Sequence, residues 1–356
     1  MSEARRDLFV GLILLACAAV APLAFTDRYI VTQLTLFFIW AAVVTQWNLV
    51  LGIGGIFSLA QMALFACGAY GTAMLGYYLG WPLWLAMPAS GLLAVVVSML
   101  IGLACLRLRG PYVALLTLAI AQVIYLMIIN DTECFTTDAG GCMPLFGGVR
   151  GIGRFGDLGF REMFGARFVI ANYALAPALL VFAFTFSVIV IRGPLGLAFR
   201  ALRDNPGYAM SRGVSRFRYQ LWVFASSAFF TGLAGAVYAA QFKVVGPTIF
   251  SFTLLLFLLS MIVVGGMGSV WGPLVGAALL MLADEGFKEF QDWRALGMGL
   301  VLPLFVVLLP GGLVGLFKRK RTQKAPMTGG DRPIADRGRQ ENWRRPAEAT
   351  RPRAQP

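Results

Sequence analysis

The chain has 356 residues and no histidine, and this absence excludes histidine general bases and histidine metal ligands. Charged side chains are scarce as well, at 13% of the residues, whereas soluble domains carry about 25%. The sequence also lacks a G-x-x-x-x-G-K-S/T loop to cradle the phosphates of ATP. We therefore expect no catalytic residue, no metal and no cofactor, and an ATP-driven step would belong to a partner.

Long uncharged segments dominate the chain. Residues 29–106 run for 78 positions without Asp, Glu, Lys or Arg, and 58% of the whole chain is hydrophobic. A membrane-spanning helix needs roughly 20 apolar residues, and a charge at its centre is costly. The predicted fold class is therefore an all-α integral membrane protein with about ten transmembrane helices. Their approximate bounds are 8–25, 30–50, 57–79, 83–105, 111–129, 168–191, 219–241, 249–264, 270–283 and 296–316.

Basic residues indicate the orientation of these spans. With the N-terminus in the cytoplasm, 22 of the 30 Lys and Arg residues fall on cytoplasmic segments, as the positive-inside rule requires. Both termini are then cytoplasmic. Segment 8–25 follows Arg5 and Arg6 as the apolar part of a signal peptide would, but no clear cleavage site precedes Asp27. We expect it to be a retained first span.

The predicted spans divide the chain into a transmembrane domain, 1–317, and a tail, 318–356. The tail is rich in basic residues and proline, so we expect a disordered cytoplasmic segment that meets lipid headgroups and not nucleic acid. Loop 131–167 lies outside, where it either covers the outer mouth and touches a partner or is a solvated connection. Its Cys134 and Cys142 either form a disulfide, which an oxidising compartment permits, or stay free thiols.

Two glycine-rich stretches interrupt the uncharged segments. Residues 51–56 read LGIGGI and residues 264–273 read VGGMGSVWGP. Irregular backbone at membrane depth is tolerated only where protein or water covers it, and in transporters such breaks mark the pathway. The alternative for individual glycines is close helix packing, as in the G-x-x-x-G pair Gly272 and Gly276.

The polar residues inside the predicted spans are neutral. No acidic or basic residue lies at the middle of a span, which argues against proton coupling. A neutral lining suits a zwitterionic or uncharged solute, although each residue has interhelical hydrogen bonding as its alternative role. The residues we assign to a translocation path are Asn48, Ser58, Gln61, Thr117, Gln122, Gly265 and Gly266.

Loop 192–218 holds six arginines between two uncharged spans. Asn205 is a suitable N-cap, Pro206 fits the first helical turn and Gly213 follows the last, which predicts a helix over 206–212. Stretch 197–203 is expected to extend the sixth span into the cytoplasm. A two-turn helix is unstable alone in water, so it either docks in a groove of a cytoplasmic partner or lies on the membrane surface.

Four motifs occur in a fixed order. They are WNLVLGIGGIFSLAQMALFACGAY at 47–70, LRLRGPYVALLTLA at 106–119, the loop ALRDNPGYAMSRGV at 201–214 followed by FTGLAGAVY at 230–238, and VGGMGSVWGPLVGA at 264–277. Together they resemble the permeases of branched-chain amino acid ABC importers, over roughly residues 30–316. Segment 106–112 is similar to the M-type rather than the H-type subunit.

The resemblance implies a transmembrane permease subunit in the bacterial inner membrane that forms the path for branched-chain or related amino acids. The partners it implies are two cytoplasmic ABC ATPase subunits, a sister H-type permease and a periplasmic solute-binding protein. Arg203, Asp204, Asn205, Ala209 and Gly213 match the docking motif of the family. With Arg200, Pro206, Tyr208 and Arg212 they form the predicted ATPase-coupling set.

The sequence departs from the family pattern at several places. Gln61 stands where many members have histidine, Pro206 and Gly207 are an uncommon start for the docking helix, and residues 147–151 match the outer-loop glycine motif loosely. Relatives carry urea, amides or aromatic acids, so these solutes are alternatives. An ion-coupled secondary carrier and an integral membrane enzyme are alternatives of other classes, opposed by the missing buried charges and histidines.

Overall fold

The computed structural model describes residues 5–7, 9, 11, 27–105, 108, 110–138, 141–159, 168–288 and 312–315. All of them belong to the compact unit Met1–Phe317. The predicted spans 8–25 and 296–316 fall largely outside the described residues, and the predicted tail falls wholly outside them.

The described part of the chain is mainly helical, with two short antiparallel strand pairs. The helices are α1 Arg28–Asn48, α2 Gln61–Leu79, α3 Leu83–Cys105, α4 Tyr112–Ile129, α5 Phe168–Arg192, α6 Pro194–Asp204, α7 Pro206–Ser211, α8 Arg216–Phe242, α9 Phe252–Gly265 and α10 Gly272–Phe287. The strands are β1 Thr136–Asp138, β2 Gly141–Met143, β3 Ile152–Gly153 and β4 Val244–Val245, with β1 paired to β2 and β3 to β4.

The predicted spans and the described helices agree closely. Eight of the predicted spans coincide with α1 to α5 and α8 to α10, with ends that differ by a few residues. Six helices in the described residues are long and apolar enough to cross a membrane. Helices α9 and α10 have only 14 and 16 residues, so each is shorter than the roughly 30 Å of a bilayer core.

Helix α1 is the centre of the bundle. Every residue from Phe38 to Asn48 is buried, and so is the π-helical turn Leu49–Ile53 that continues α1. In an apolar stretch of 18 residues within each span, 89% of the residues are buried in α1 with its π-helical turn, but only 28% are buried in α4. Helix α4 and the outer face of α3 therefore lie at the periphery, where they meet lipid or another subunit.

Small residues allow α2, α3 and α8 to pack closely. A Cβ atom added to Gly68 would overlap the carbonyl group of Gly232, and one added to Gly235 would overlap the carbonyl oxygen of Phe65. On the other side of α8, Gly232 faces Ala94 of α3. In lipid, helix association depends on such close packing because both surroundings are apolar. These glycine contacts therefore fix the positions of α2, α3 and α8 relative to one another.

The G-x-x-x-G pair of α10 serves packing as well. A Cβ added to Gly265 would overlap the carbonyl of Gly272, and one added to Gly276 would overlap the carbonyl oxygen of Met261. The two short helices α9 and α10 thus form a tight hairpin, and the interruption between them is the turn at residues 266–271.

Loop 131–159 is packed onto the end of the bundle opposite to loop 192–218. A disulfide joins Cys134 to Cys142 and closes the β1–β2 hairpin. The side chains of Ile152, Phe155 and Leu158 are buried. The described part of this loop is therefore a cover on the helix ends rather than a solvated connection.

One expectation about loop 192–218 is wrong. Stretch 197–203 does not extend the preceding span, because α5 ends at Arg192 and a separate helix α6 begins at Pro194. Gly193 between them is extended, with φ −83° and ψ 178°. A proline has no N–H to donate and disfavours helical geometry in the residue before it, so Gly193-Pro194 ends α5.

Candidate functional site

Helix α7 has the caps that its sequence predicts. The Asn205 side-chain oxygen accepts a hydrogen bond from the Tyr208 N–H at 3.1 Å. At the other end, Gly213 has φ +85°, its N–H donates to Met210, and the Val214 N–H donates to Ala209. This pair of bonds is a Schellman motif. The predicted helix 206–212 is thus confirmed, with Arg212 as its C-cap residue.

The outward face of α7 is free of covering residues in the described chain. Ala209 points inward and is 2% exposed, whereas Tyr208 is 59% exposed. The Arg212 guanidinium donates to the Tyr208 hydroxyl at 3.0 Å and lies over its ring at 5.4 Å from the centroid. Tyrosine and arginine are the residue types enriched at interface hot spots. The geometry therefore suits a protein contact.

Helix α6 is amphipathic and holds α7 against the bundle. Phe199 and Leu202 are buried, and the Phe199 ring meets Tyr219 of α8 edge-on. The Arg200 guanidinium donates to the Ile191 carbonyl at 2.9 Å and thereby satisfies one of the free carbonyls at the end of α5. Leu197, on the opposite face of α6, is 67% exposed.

Arg203 reaches from the end of α6 to the break after α1. Its Nη1 donates to the carbonyl oxygen of Gly52 at 2.6 Å, and its Nε donates to Asp204 at 3.2 Å. The stem of Arg203 lies against Gly55, where an added Cβ would be 2.7 Å from its Cγ. A residue predicted for ATPase coupling is therefore in contact with the first glycine-rich break.

Asn48 joins the two glycine-rich breaks to each other. Its amide nitrogen donates to the Ser269 carbonyl at 2.9 Å, and its amide oxygen accepts from the Gly268 N–H at 2.8 Å. Ser269 in turn accepts from the Gly272 N–H and so caps α10. Asn48, Gly265 and Gly266, which we assign to the translocation path, thus lie at one junction.

Other predicted path residues hold the irregular segment between α1 and α2. The Ser58 carbonyl accepts a hydrogen bond from the Trp47 indole at 2.9 Å. Thr117 of α4 accepts from the Leu59 N–H at 2.9 Å. Ser58 and Thr117 are both buried within this chain. Their contacts replace the hydrogen bonds that a continuous helix would make.

Two predicted path residues, Gln61 and Gln122, lie apart from the junction at Asn48 and from the segment between α1 and α2. The Gln61 amide donates to the hydroxyl groups of Thr231 and Ser227 on α8, deep between α2 and α8. Gln122 is half-buried on the peripheral helix α4. The predicted path residues therefore form a junction, a supported loop and a core network rather than a single lining in the described chain, and their role in translocation stays a prediction.

Several residues of these networks escaped the sequence reasoning. Ser227 and Thr231 are a turn apart on α8, and Ser269 lies in a turn between short helices. Serine and threonine also bond their own helix carbonyls, so such residues carry no sequence signal until their partner is known. The glycine beside Thr231, Gly232, indicates close approach but not which helix approaches.

An open cavity of about 600 Å³ lies at the end of the bundle opposite to α7. The aromatic side chains of Tyr77, Tyr78 and Trp81 form part of its wall, together with Arg154 and Asp157 of the loop. The Tyr78 hydroxyl bonds the loop backbone at 3.0 Å, and Lys243 pairs with Asp157 at 3.0 Å. Among the described residues, no group of three or more Cys, Asp or Glu residues is arranged to hold a metal ion.

Comparison with known proteins identifies the family. The family described as branched-chain amino acid transport system / permease component matches residues 29–309. The high-affinity branched-chain amino acid transport system permease protein LivM of Escherichia coli (strain K12) is 31% identical over 335 residues, which are 88% of this chain and 76% of that protein. LivM of Salmonella typhimurium is 31% identical over 296 residues, 80% of this chain and 69% of that protein. No solved structure matches. This chain therefore belongs to the permease components of branched-chain amino acid transport systems.

Proposed function

We propose that this chain is the transmembrane permease subunit of an ABC importer that carries branched-chain amino acids. The observation that carries the proposal is the family match over residues 29–309, which covers α1 to α10 except for Arg28, the first residue of α1. ATP hydrolysis then belongs to separate subunits, because the chain has no phosphate-binding loop. The chain itself is a transport subunit and not an enzyme.

Branched-chain amino acids are favoured over urea, amides or aromatic acids as the solute. The two similar relatives are both named for branched-chain amino acid transport. An amino acid is a zwitterion with no net charge, and the buried polar side chains of α1, α2 and α8 are neutral amides and hydroxyls, whereas the buried Asp7 is paired with Arg192. A path without ionised residues suits such a solute, since an unpaired charge in the membrane is costly.

We assign the partners that the family implies to the two ends of the bundle. The end with α7 faces the two cytoplasmic ATPase subunits in this assignment, and a groove of one of them would receive Tyr208 and Arg212. The open cavity at the other end, with its aromatic wall and Arg154, faces the periplasmic solute-binding protein in this assignment. The peripheral faces of α3 and α4 are shared between lipid and a sister H-type permease.

The proposal includes the full topology in the bacterial inner membrane. The described helices alternate in direction: α1, α3, α5 and α9 end on the side of α7, and the others begin there. Adding the predicted spans 8–25 and 296–316 gives ten spans with both termini cytoplasmic. Arg107, Arg109 and loop 192–218 then face the same compartment.

Transport by the reconstituted system tests the function. The chain is placed in liposomes with its ATPase, sister permease and binding protein, and uptake of labelled leucine is measured. We expect uptake that requires ATP and the binding protein and that is inhibited by isoleucine and valine but not by urea. Uptake by this chain alone, driven by an ion gradient, would contradict the proposal and support a secondary carrier.

Copurification tests the assignment of α7. The variant Tyr208→Ala with Arg212→Glu removes the exposed aromatic ring and reverses the charge beside it, so we expect ATPase association to fall about tenfold or more. Arg150→Glu, at the opposite end, is the matched control and should bind ATPase normally. Equal association of both variants would show that α7 is not the docking helix.

A further inference from the structure

The proposed docking of an ATPase at α7 leaves a mechanical question. Helices α6 and α7 form a separate segment, divided from α5 at Gly193. A displacement of this segment reaches α5 and α8 along the chain, whereas it reaches helices that are not adjacent in sequence through the side-chain contacts of α6 and α7. The contacts of α6 with the bundle therefore decide which of these distant helices respond.

Arg203 makes the polar contact that joins this segment to the end of α1. Its Nη1 lies 2.6 Å from the carbonyl oxygen of Gly52, in the π-helical turn that ends α1. Its stem fills the space beside Gly55, which has φ +65°. By contrast, Arg200 bonds the neighbouring helix end at Ile191, and Arg212 bonds Tyr208 within α7. Arg203 thus connects the docking segment to the broken end of the central helix.

The Gly52 carbonyl, to which Arg203 donates, also lies beside the second glycine-rich break at residues 264–273. A Cβ added to Gly268 would lie 3.1 Å from the Gly52 carbonyl oxygen and 3.4 Å from Nη1 of Arg203. Gly268 has φ +75°, a conformation that glycine adopts without strain. Asn48, one turn before Gly52, bonds both Gly268 and Ser269. The turn between α9 and α10 is therefore tied to the end of α1 at the place where Arg203 arrives.

We propose that Arg203 is a positioning residue that connects the ATPase-docking segment to both glycine-rich breaks, so that they move together with α6. Asn48 is the second link, since it holds the turn at 268–269 to α1. This inference rests on the proposed function, because it assumes that an ATPase bound at α7 displaces α6 and α7. It adds the route by which that displacement reaches α1 and the two glycine-rich breaks.

Partial exposure of Arg203 is consistent with a contact that changes during transport. Its side chain is 41% exposed and it also pairs with Asp204, which is 67% exposed. A contact of this kind can break and form again without leaving a buried charge unpaired.

The test separates ATP hydrolysis from transport in the reconstituted importer. Arg203→Gln is compared with Arg218→Gln, which removes the same charge from an exposed position at the start of α8. ATPase association, ATP hydrolysis and leucine uptake are measured for each. For Arg203→Gln, measured at equal amounts of assembled importer, we expect ATP hydrolysis to continue but about tenfold less uptake for each ATP consumed. Arg218→Gln should resemble the wild type in all three.

Two further variants keep the test decisive if Arg203→Gln folds poorly. Arg203→Lys retains the cation and most of the reach, and should restore part of the coupling ratio. Asn48→Ala should lower the same ratio, and combining it with Arg203→Gln should add little, since both changes break one linkage. A multiplicative loss in the double variant would show that the two residues act independently and would overturn the proposal.

The outcomes distinguish this inference from the proposed function. If the wild-type importer shows no ATP-dependent uptake, the proposed function fails. If the wild type transports but Arg203→Gln loses ATPase association, Arg203 is a docking residue and the linkage is wrong. A parallel loss of hydrolysis and uptake would also overturn it, because a broken linkage must leave hydrolysis running.

Discussion

Hydrogen bonds from uncharged side chains connect α1, α2, α5 and α8 in the core. The side-chain amide of Gln46 donates to the backbone carbonyl of Ala183 at 2.8 Å. The Ser227 hydroxyl donates to the backbone carbonyl of Gln46 at 3.0 Å. Gln61 completes this network by donating to Ser227 and Thr231. Thr231 already donates to the Ser227 carbonyl at 2.9 Å. Both hydroxyls therefore accept from Gln61 and have no proton left for an anion.

This arrangement predicts a pH-dependent defect in the variant Gln61→Glu. An ionised carboxylate would face two oxygen lone pairs in a buried site, so the fold should lose about 1–3 kcal/mol at neutral pH. The loss should shrink in acid, because the protonated acid can donate a hydrogen bond as the amide does. Thermal unfolding in detergent at neutral pH and near about pH 5 measures the effect.

The variant Gln61→Leu is the control, since it removes the donor without adding a charge. It should be less destabilised than Gln61→Glu at neutral pH and should not recover in acid. An equal, pH-independent loss in both variants would mean that volume and not hydrogen bonding determines the defect.

At the scale of elements, glycines decide which helices touch. The seam of Gly68, Gly232 and Gly235 brings the backbones of α2 and α8 into contact, and there is no room for even one added carbon. Such a contact needs a rigid backbone on both sides, so relaxation is limited. Large changes in stability should therefore follow from very small changes in side-chain volume.

We expect Gly68→Ala to destabilise the bundle by about 1–3 kcal/mol or more, through overlap with the Gly232 carbonyl. Gly286→Ala is the matched control, because an added Cβ there meets no atom within 4 Å and alanine favours the helix. Thermal unfolding in detergent compares the two. A stable Gly68→Ala protein would show that α2 and α8 are farther apart than the structure places them.

Local chemistry explains which elements the sequence could predict. The capped helix α7 follows from Asn205 and Gly213, and the spans follow from uncharged length alone. The end of α5 could also have been predicted, since Pro194 disfavours helical geometry in the residue before it. The contact between Asn48 and Gly268 could not be predicted, since 220 positions separate the two residues. In the sequence, the glycines of each break are also consistent with close helix packing, which would require no contact between the two breaks. Contacts between distant breaks need the assembled bundle.

At the scale of the whole molecule, the helix directions divide the described loops between two ends. One end carries α7 and the two breaks, and the other carries the disulfide hairpin and the open cavity. In the topology that we propose, the distribution of basic residues places the first end in the cytoplasm. The two ends are then in different compartments, and chemical accessibility can distinguish them.

Cysteine labelling in intact cells provides that measurement. In a chain whose native cysteines are replaced by serine, Val149→Cys and Ser211→Cys introduce single exposed thiols at the two ends. A thiol reagent that cannot cross the membrane should label Val149→Cys in intact cells and Ser211→Cys only after permeabilisation. Labelling in the reverse order would show that the orientation is opposite to the proposed one. Helix α7 would then lie outside the cytoplasm, where no cytoplasmic ATPase could bind it. Because α7 and the breaks lie at the same end, that single result would contradict the topology, the docking site and the role of Arg203 together.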